Sequence, residues 1–172
     1  MPPGRHALLA MILALAASAA AAAPAELDPA TVAGVYKDRF VLRLAVDPPV
    51  NAENILEIVP TGPRAAYVRI HLELANGGIC ALHGIAHVDG PDLVYVSRPS
   101  ALDSQVCKLR IEPRGSSIIF RDDQSCQADC GVNVGFEQAD FQSASRRPIR
   151  YMGRLLSSWQ YKDAMAEDGT KR

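Results

Sequence analysis

The chain has 172 residues and a formal net charge of −1, with 18 basic and 19 acidic side chains. This balance creates no overall field that would attract nucleic acid or a membrane surface, so neither is an expected partner. Without its N-terminal segment, the chain has the usual length of a single domain.

Residues 1–23 read as a cleavable signal peptide. Arg5 and His6 provide a short positive start, residues 7–17 are all apolar, and residues 18–23 are small residues that suit a cleavage site. This order is typical of a secretory signal. The apolar run is shorter than the roughly 20 residues that a membrane-spanning helix needs. We therefore expect an exported protein, periplasmic or extracellular, with no stable membrane span.

Residues 24–147 are predicted to form a mainly β domain. Residues 54–59 are predicted to form a strand that the Pro- and Gly-containing residues 60–63 end, and short segments that alternate apolar and polar residues follow between turn signals. Residues 68, 70, 72 and 74 of one segment are apolar and share a face. We expect six to eight antiparallel strands in a meander, closed into a small barrel or a strongly twisted sheet.

The turn at residues 76–78 sets the expected register of the two strands that it joins. A three-residue loop places Ala75 opposite Ile79. His71 and His83 then lie opposite each other on the outer face, where they are candidates for a metal site that would hold zinc or copper. Two ordinary, half-exposed histidines are the preferred interpretation, so no metal and no cofactor is predicted.

The four cysteines are expected to form disulfides, as an even number does in an exported chain. The strand order gathers Cys80, Cys107, Cys126 and Cys130 at one end of the sheet. The strands of Cys80 and Cys107 are separated by two spacings of about 4.8 Å, beyond the usual Cα reach of a disulfide. Each strand cysteine is therefore expected to bond a loop cysteine. Bridges Cys80–Cys107 and Cys126–Cys130 remain the alternative.

Residues 148–172 are predicted to form a C-terminal amphipathic helix, packed on the sheet, with a frayed tail. An apolar stripe recurs at helical spacing. It consists of Ile149, Met152, Leu155, Leu156 and Trp159. Arginines are dense nearby and are the candidate ligand-binding residues, suited to a carboxylate or phosphate group. They are Arg146, Arg147, Arg150 and Arg154.

The acidic loop at Asp122, Asp123 and Asp129, beside Gln124 and Asn133, has the chemistry of a calcium ligand set. It lacks the ordered spacing of a calcium-binding loop, so a solvated loop is the preferred interpretation. No serine lies in a nucleophile motif, and no catalytic residue is assigned.

The spacing of the cysteines, ending in the motif Cys126-x3-Cys130-Gly131, resembles a family of uncharacterised exported bacterial proteins. That resemblance implies compartment and fold only. The architecture is also distantly similar to the small periplasmic β-barrel lysozyme inhibitors, which plug an enzyme's cleft with a loop. The inhibitory loop motif of those proteins is not found in this chain.

The leading hypothesis is a non-catalytic binding or inhibitor-type domain that acts in the cell envelope on a protein or a cell-wall glycan. The first alternative is a barrel that carries a small apolar ligand, with a cavity lined by Tyr36, Phe40, Tyr95 and Phe120. The second alternative is an enzyme with a cryptic site.

Overall fold

The computed structural model of the protein describes residues 25–43, 48–75, 77–99, 105–131 and 133–169. The predicted signal peptide lies outside these residues, as does the end of the predicted tail.

The described residues form one sheet of eight antiparallel strands, each paired with the next strand along the chain. The strands are β1 (Gly34–Leu42), β2 (Val50–Gly62), β3 (Ala65–Glu73), β4 (Ile79–Asp89), β5 (Asp92–Val96), β6 (Lys108–Arg114), β7 (Ser117–Arg121) and β8 (Asp140–Gln142). Beyond β8, the backbone of Arg147 pairs with Val35 of β1. The sheet is therefore a nearly closed barrel, and the predicted mainly β fold is confirmed.

A glycine allows the two edges of the sheet to meet. Gly34 has φ +149°, and a Cβ atom there would lie 2.9 Å from the carbonyl oxygen of Arg147. A larger residue would be strained at this φ and would also collide with the backbone that closes the sheet.

The inner face of the sheet holds the main core, as the alternation predicted. Val68, Ile70 and Leu72 of β3 are 1% exposed or less. Gly84 of β4 also faces inward, and a Cβ atom there would lie 2.1 Å from a ring carbon of Tyr95. Because Gly84 has no side chain, the Tyr95 ring can pack directly against the backbone of β4.

The second strand is longer than the predicted residues 54–59, because β2 runs from Val50 to Gly62 and includes Pro60. The pairing of β1 with β2 stops at Gly34 and Ile58, so β1 does not reach Pro60. On the side of β2 that faces β1, Pro60 has no strand partner, so no hydrogen bond between strands needs the N–H group that proline lacks. A shift in register between Pro60 and Gly62 then leads into the turn to β3.

The predicted register of β3 against β4 is wrong by two residues. Cys80 pairs with Leu72, and Ile79 pairs with Glu73 rather than with Ala75. The connection is longer than three residues: the N–H of Leu74 donates to the carbonyl of Gly78 over 2.9 Å. Since the shift is an even number, every side chain keeps its predicted face.

The predicted pairing of strand and loop cysteines is confirmed. The disulfides are Cys80–Cys130 and Cys107–Cys126, and the alternative pairing does not form. Both bridges tie the long loop between β7 and β8 to the inner face of the sheet. Two disulfides fit an oxidising compartment.

Two helices, rather than one, follow the sheet: α1 (Met152–Ser157) and α2 (Trp159–Gly169). Ser158 separates them, with extended backbone at ψ 153°. Its hydroxyl accepts the N–H of Tyr161 over 3.3 Å, which caps the start of α2. Within the described residues, no helix is both long and apolar enough to cross a membrane.

The two helices cover one part of the outer face of the sheet. A second, smaller core forms there around Tyr67, which is 0% exposed. Its other buried members are Val59, Ala65, Ile85, Leu155 and Ala164. At the far end of α2, the Asp168 carboxylate lies 2.8 Å from Nε2 of His87 on β4.

Candidate functional site

A cleft of about 500 Å³ opens where the helices leave the outer face of β2, β3 and β4 uncovered. Its floor is formed by the outward-facing residues Ile55, Arg69, His71 and Ala81, and its wall by the start of α2. We call it the outer-face cleft. Its volume is in the range of small-molecule binding sites, about 300–1,000 Å³.

Trp159 is the most unusual residue of this cleft, because 67% of its surface is exposed. Its ring meets that of His83 edge to face, with 5.0 Å between the ring centroids. The predicted apolar stripe is therefore wrong at this position. The break at Ser158 rotates α2 relative to α1, so Leu155 points into the second core and Trp159 points out of it.

Arg69 is held in place by a buried acid. Glu57 is 0% exposed, and its Oε1 accepts a hydrogen bond of 2.8 Å from Nη2 of Arg69. Nε of Arg69 lies 2.6 Å from Oε2 of the same carboxylate, close enough for an ion pair although it is not aligned for a hydrogen bond. The charge of Glu57 is thus paired, as a buried carboxylate requires.

Tyr151 is the third member of a cluster with Arg69 and Glu57. Its hydroxyl donates to Oε1 of Glu57, from a position 94 residues further along the chain. Burial, and then the hydrogen bond to Glu57, raise the pKa of Tyr151 to about 12. The tyrosine therefore stays neutral and acts as a donor to Glu57 at any ordinary pH.

A second pocket, of about 350 Å³, lies on the other side of Arg69. Lys37 and Arg154 also line it, together with Tyr151, Leu155 and Ser158. Lys37 is paired with Glu53 over 2.6 Å. Arg154 lies over the Tyr151 ring, 5.3 Å from its centroid, and makes no ion pair with any described residue. Arg154 is therefore the cation beside the cleft that is least committed to a partner.

The four predicted arginines do not form one group. The Arg146 guanidinium donates to the carbonyl of Thr31, and that of Arg147 donates to the carbonyl of Ala144 over 2.9 Å. Both lie at the seam that closes the sheet and have structural roles there. Arg150 is exposed, and only Arg154 lines a pocket next to the cleft.

The predicted histidine pair does not form. In the observed register His83 lies opposite Arg69, and His71 lies opposite Ala81. Nε2 of His71 is 3.7 Å from Glu73, and Nε2 of His83 is 3.7 Å from Asp163. The shift of two residues thus separates the two rings that would have shared a metal, although both histidines line the cleft.

Cys107, Cys126 and Asp129 lie close to one another, within reach of a single metal ion. Both sulfur atoms belong to the same disulfide, so neither is available as a thiolate ligand.

Sequence reasoning missed Arg69 and Trp159 as site residues. A signal for Trp159 was present, since serine is a preferred N-cap and Ser158 directly precedes it. No signal identified Arg69, because its partner Glu57 lies on a different strand. No family model, curated protein or solved structure matches this chain.

Proposed function

We propose that the protein is an exported, non-catalytic binding domain of the cell envelope that takes a carboxylate-bearing glycan in the outer-face cleft. The observation that carries this proposal is the exposed Trp159 ring above a concave floor in which Arg69 and His71 lie beside Ile55 and Ala81. Export is supported by the signal-like N-terminus and by the two disulfides.

The chemistry of the cleft suits a sugar. A sugar ring has an apolar C–H face, for which an exposed indole is a rigid partner, and hydroxyls at its edge that need hydrogen bonds. Arg69, His71, His83 and Gln160 provide polar groups around the indole. A protein partner would instead favour a broad surface, whereas this site is a cleft of about 500 Å³.

The charge of the site favours an acidic glycan. Arg154 lies in the pocket that shares Arg69 with the cleft, and no described acid neutralises it. A guanidinium binds a planar carboxylate through two parallel hydrogen bonds. Binding is favoured over catalysis because the strong charges near the cleft have partners. Arg69 pairs with Glu57 and Lys37 pairs with Glu53, while Glu73 and Asp163 each lie 3.7 Å from a histidine of the cleft.

The interior of the sheet gives less support to the carrier alternative. Tyr36, Tyr95 and Phe120 are packed in the core and are at most 8% exposed, and Phe40 is half-exposed at the rim. These side chains fill the interior instead of lining a space for a ligand.

Trp159 makes the test direct, because it is the single tryptophan of the chain. Its fluorescence should change when the protein is titrated with a peptidoglycan tetrasaccharide, whose muramic acid residues carry carboxylates. Chitotetraose, which has no carboxylate, should bind several-fold more weakly, since an exposed ion pair contributes about 0.2–1 kcal/mol.

Variants locate the binding site by calorimetry. Trp159→Ala should abolish measurable binding, whereas Leu156→Ala, an exposed apolar residue of α1, should not. Arg154→Gln should remove the preference for the carboxylated sugar, and Lys162→Gln, which is exposed on α2, should preserve it. Inhibition of a muramidase with no binding of either sugar would contradict the proposal and would favour a protein partner.

A further inference from the structure

The loop between β7 and β8 forms a further pocket, and the proposed glycan site uses none of its residues. Cys126 and Phe136 anchor this loop, since both are 0% exposed in the main core. Residues next to these two anchors in the chain line a pocket of about 430 Å³. The residues that line it are Asp122, Gln124, Gln127, Asn133, Val134, Gly135, Glu137 and Gln138.

Asp122 is the decisive residue of this pocket. It is only 4% exposed, and its Oδ2 has no hydrogen-bond partner among the described residues. Its other oxygen, Oδ1, accepts the N–H of Gln124 over 3.2 Å. A buried carboxylate oxygen without a partner is costly, so such an atom calls for a cation or a donor.

A second carboxylate faces the same pocket. Oε1 of Glu137 accepts the backbone N–H of Asp122 over 3.2 Å, which holds the two acids side by side. Among the described residues that line the pocket there is no lysine, arginine or histidine. Two adjacent carboxylates therefore share a pocket that no described cation lines, and their mutual repulsion favours binding of a positive ion.

The other polar side chains of the pocket supply neutral oxygen atoms. The amide nitrogen of Gln127 donates to the carbonyl of Val134 over 3.4 Å, and that of Gln138 donates to the carbonyl of Asn133 over 3.3 Å. Each of these hydrogen bonds uses the nitrogen of the amide, so the amide oxygen has no partner among the described residues and can accept one.

We propose that this pocket binds a calcium ion, with the carboxylates of Asp122 and Glu137 as its charged ligands. Calcium accepts six to eight oxygen ligands in irregular geometry, amide oxygens and water included. Magnesium requires a tight octahedron and retains most of its water, so a pocket lined by exposed amides suits it less. With only two charged ligands, the affinity belongs in the extracellular range, with a Kd of about 10⁻⁴–10⁻³ M.

The test uses the full oxidised protein after treatment with EDTA. Addition of CaCl2 should release or absorb heat in a calorimeter and raise the Tm. At about 10 mM calcium, ten times the weaker Kd, the unfolding constant should fall roughly tenfold. The same concentration of MgCl2 should produce a smaller shift.

Asp122→Asn and Glu137→Gln should each remove the calcium-dependent shift. Asp123→Asn is the matched control: it neutralises the exposed neighbouring acid, which does not line the pocket, and the shift should persist. In EDTA, Asp122→Asn should melt at or above the wild-type temperature, because asparagine keeps the acceptor for Gln124 and removes a buried charge.

Glu137 is exposed, so Glu137→Gln should fold and give a result even if Asp122→Asn does not. The absence of any heat or Tm shift in the wild-type protein up to 10 mM calcium would overturn the proposal. A full shift that survives in Glu137→Gln or in Asp122→Asn would overturn it too. Neither result would bear on the glycan cleft, because the two sites have no lining residue in common.

Discussion

The two faces of β3 and β4 differ in what occupies them. The inner face is apolar along its whole length, from Ala66 to Leu72 on β3, and every one of those inward side chains is buried. The outer face is divided: under α1 and α2 it holds Tyr67 and Ile85, and beyond the helices it holds Arg69 and His71. Because side chains of a strand alternate strictly between the two faces, the sequence of the strands determines that the inner face is apolar. Which part of the outer face is covered is determined only by the position of the helices.

The largest expected effect comes from the bridges that tie the β7–β8 loop to the inner face. Their sequence separations are 50 and 19 residues. In the chain-entropy account, removing Cys80–Cys130 should cost about 4 kcal/mol and removing Cys107–Cys126 about 3 kcal/mol. Urea unfolding of the paired alanine variants measures both costs. An unfolding midpoint that reductant does not change would contradict the structural role of the bridges.

The next effect tests how tightly the inner face is packed. Gly84→Ala places a methyl group 2.1 Å from the Tyr95 ring, so we expect a loss of about 1–3 kcal/mol from overpacking. Gly62→Ala is the matched control, because a Cβ atom there meets nothing within 4 Å. Its unfolding free energy should stay within about 0.5 kcal/mol of wild type. Equal effects at the two glycines would mean that the Tyr95 ring moves aside freely.

The smallest effect concerns the covered part of the outer face. The Tyr67 hydroxyl is buried and has no hydrogen-bond partner among the described residues. Tyr67→Phe should therefore change stability at pH 7 by no more than about 1 kcal/mol, in either direction. The measurement is chemical unfolding at pH 7.

The same variant should respond differently to alkali. Burial raises the pKa of Tyr67 from 10.0 to about 12, so the folded chain keeps a proton that the unfolded chain loses above pH 10. The wild-type protein therefore keeps its full free energy of unfolding below pH 10 and loses part of it as the pH rises from 10 through about 12. Tyr67→Phe should lose less stability than wild type over that interval. An identical alkaline slope in the two proteins would show that Tyr67 titrates normally.

Much of the fold was predictable because it depends on local patterns. Alternation assigned Val68, Ile70 and Cys80 to the interior, and the order of the strands brought Cys80 and Cys107 to the same end as the loop cysteines. The register error at Ile79 did not disturb these predictions, since a shift of two residues preserves the face of every side chain.

The candidate sites were less predictable because they depend on contacts between distant segments. The arginine-rich stretch was a reasonable signal, but Arg146 and Arg147 bind backbone carbonyls at the seam of the sheet. Arg69 became a site residue through Glu57 on another strand and Tyr151 in the C-terminal segment. Sequence spacing carries no information about such contacts.

The sequence by itself determined the antiparallel order of the strands, the inner core, and the end of the sheet at which the four cysteines meet. The alternation of side chains along a strand and the residues of a turn are local patterns of a few positions, so they can be recognised in the sequence. Only the tertiary structure decided that Trp159 is exposed, that part of the outer face is open, and that Asp122 is buried beside Glu137. Those outcomes depend on how the helices and the bridged loop dock on the sheet.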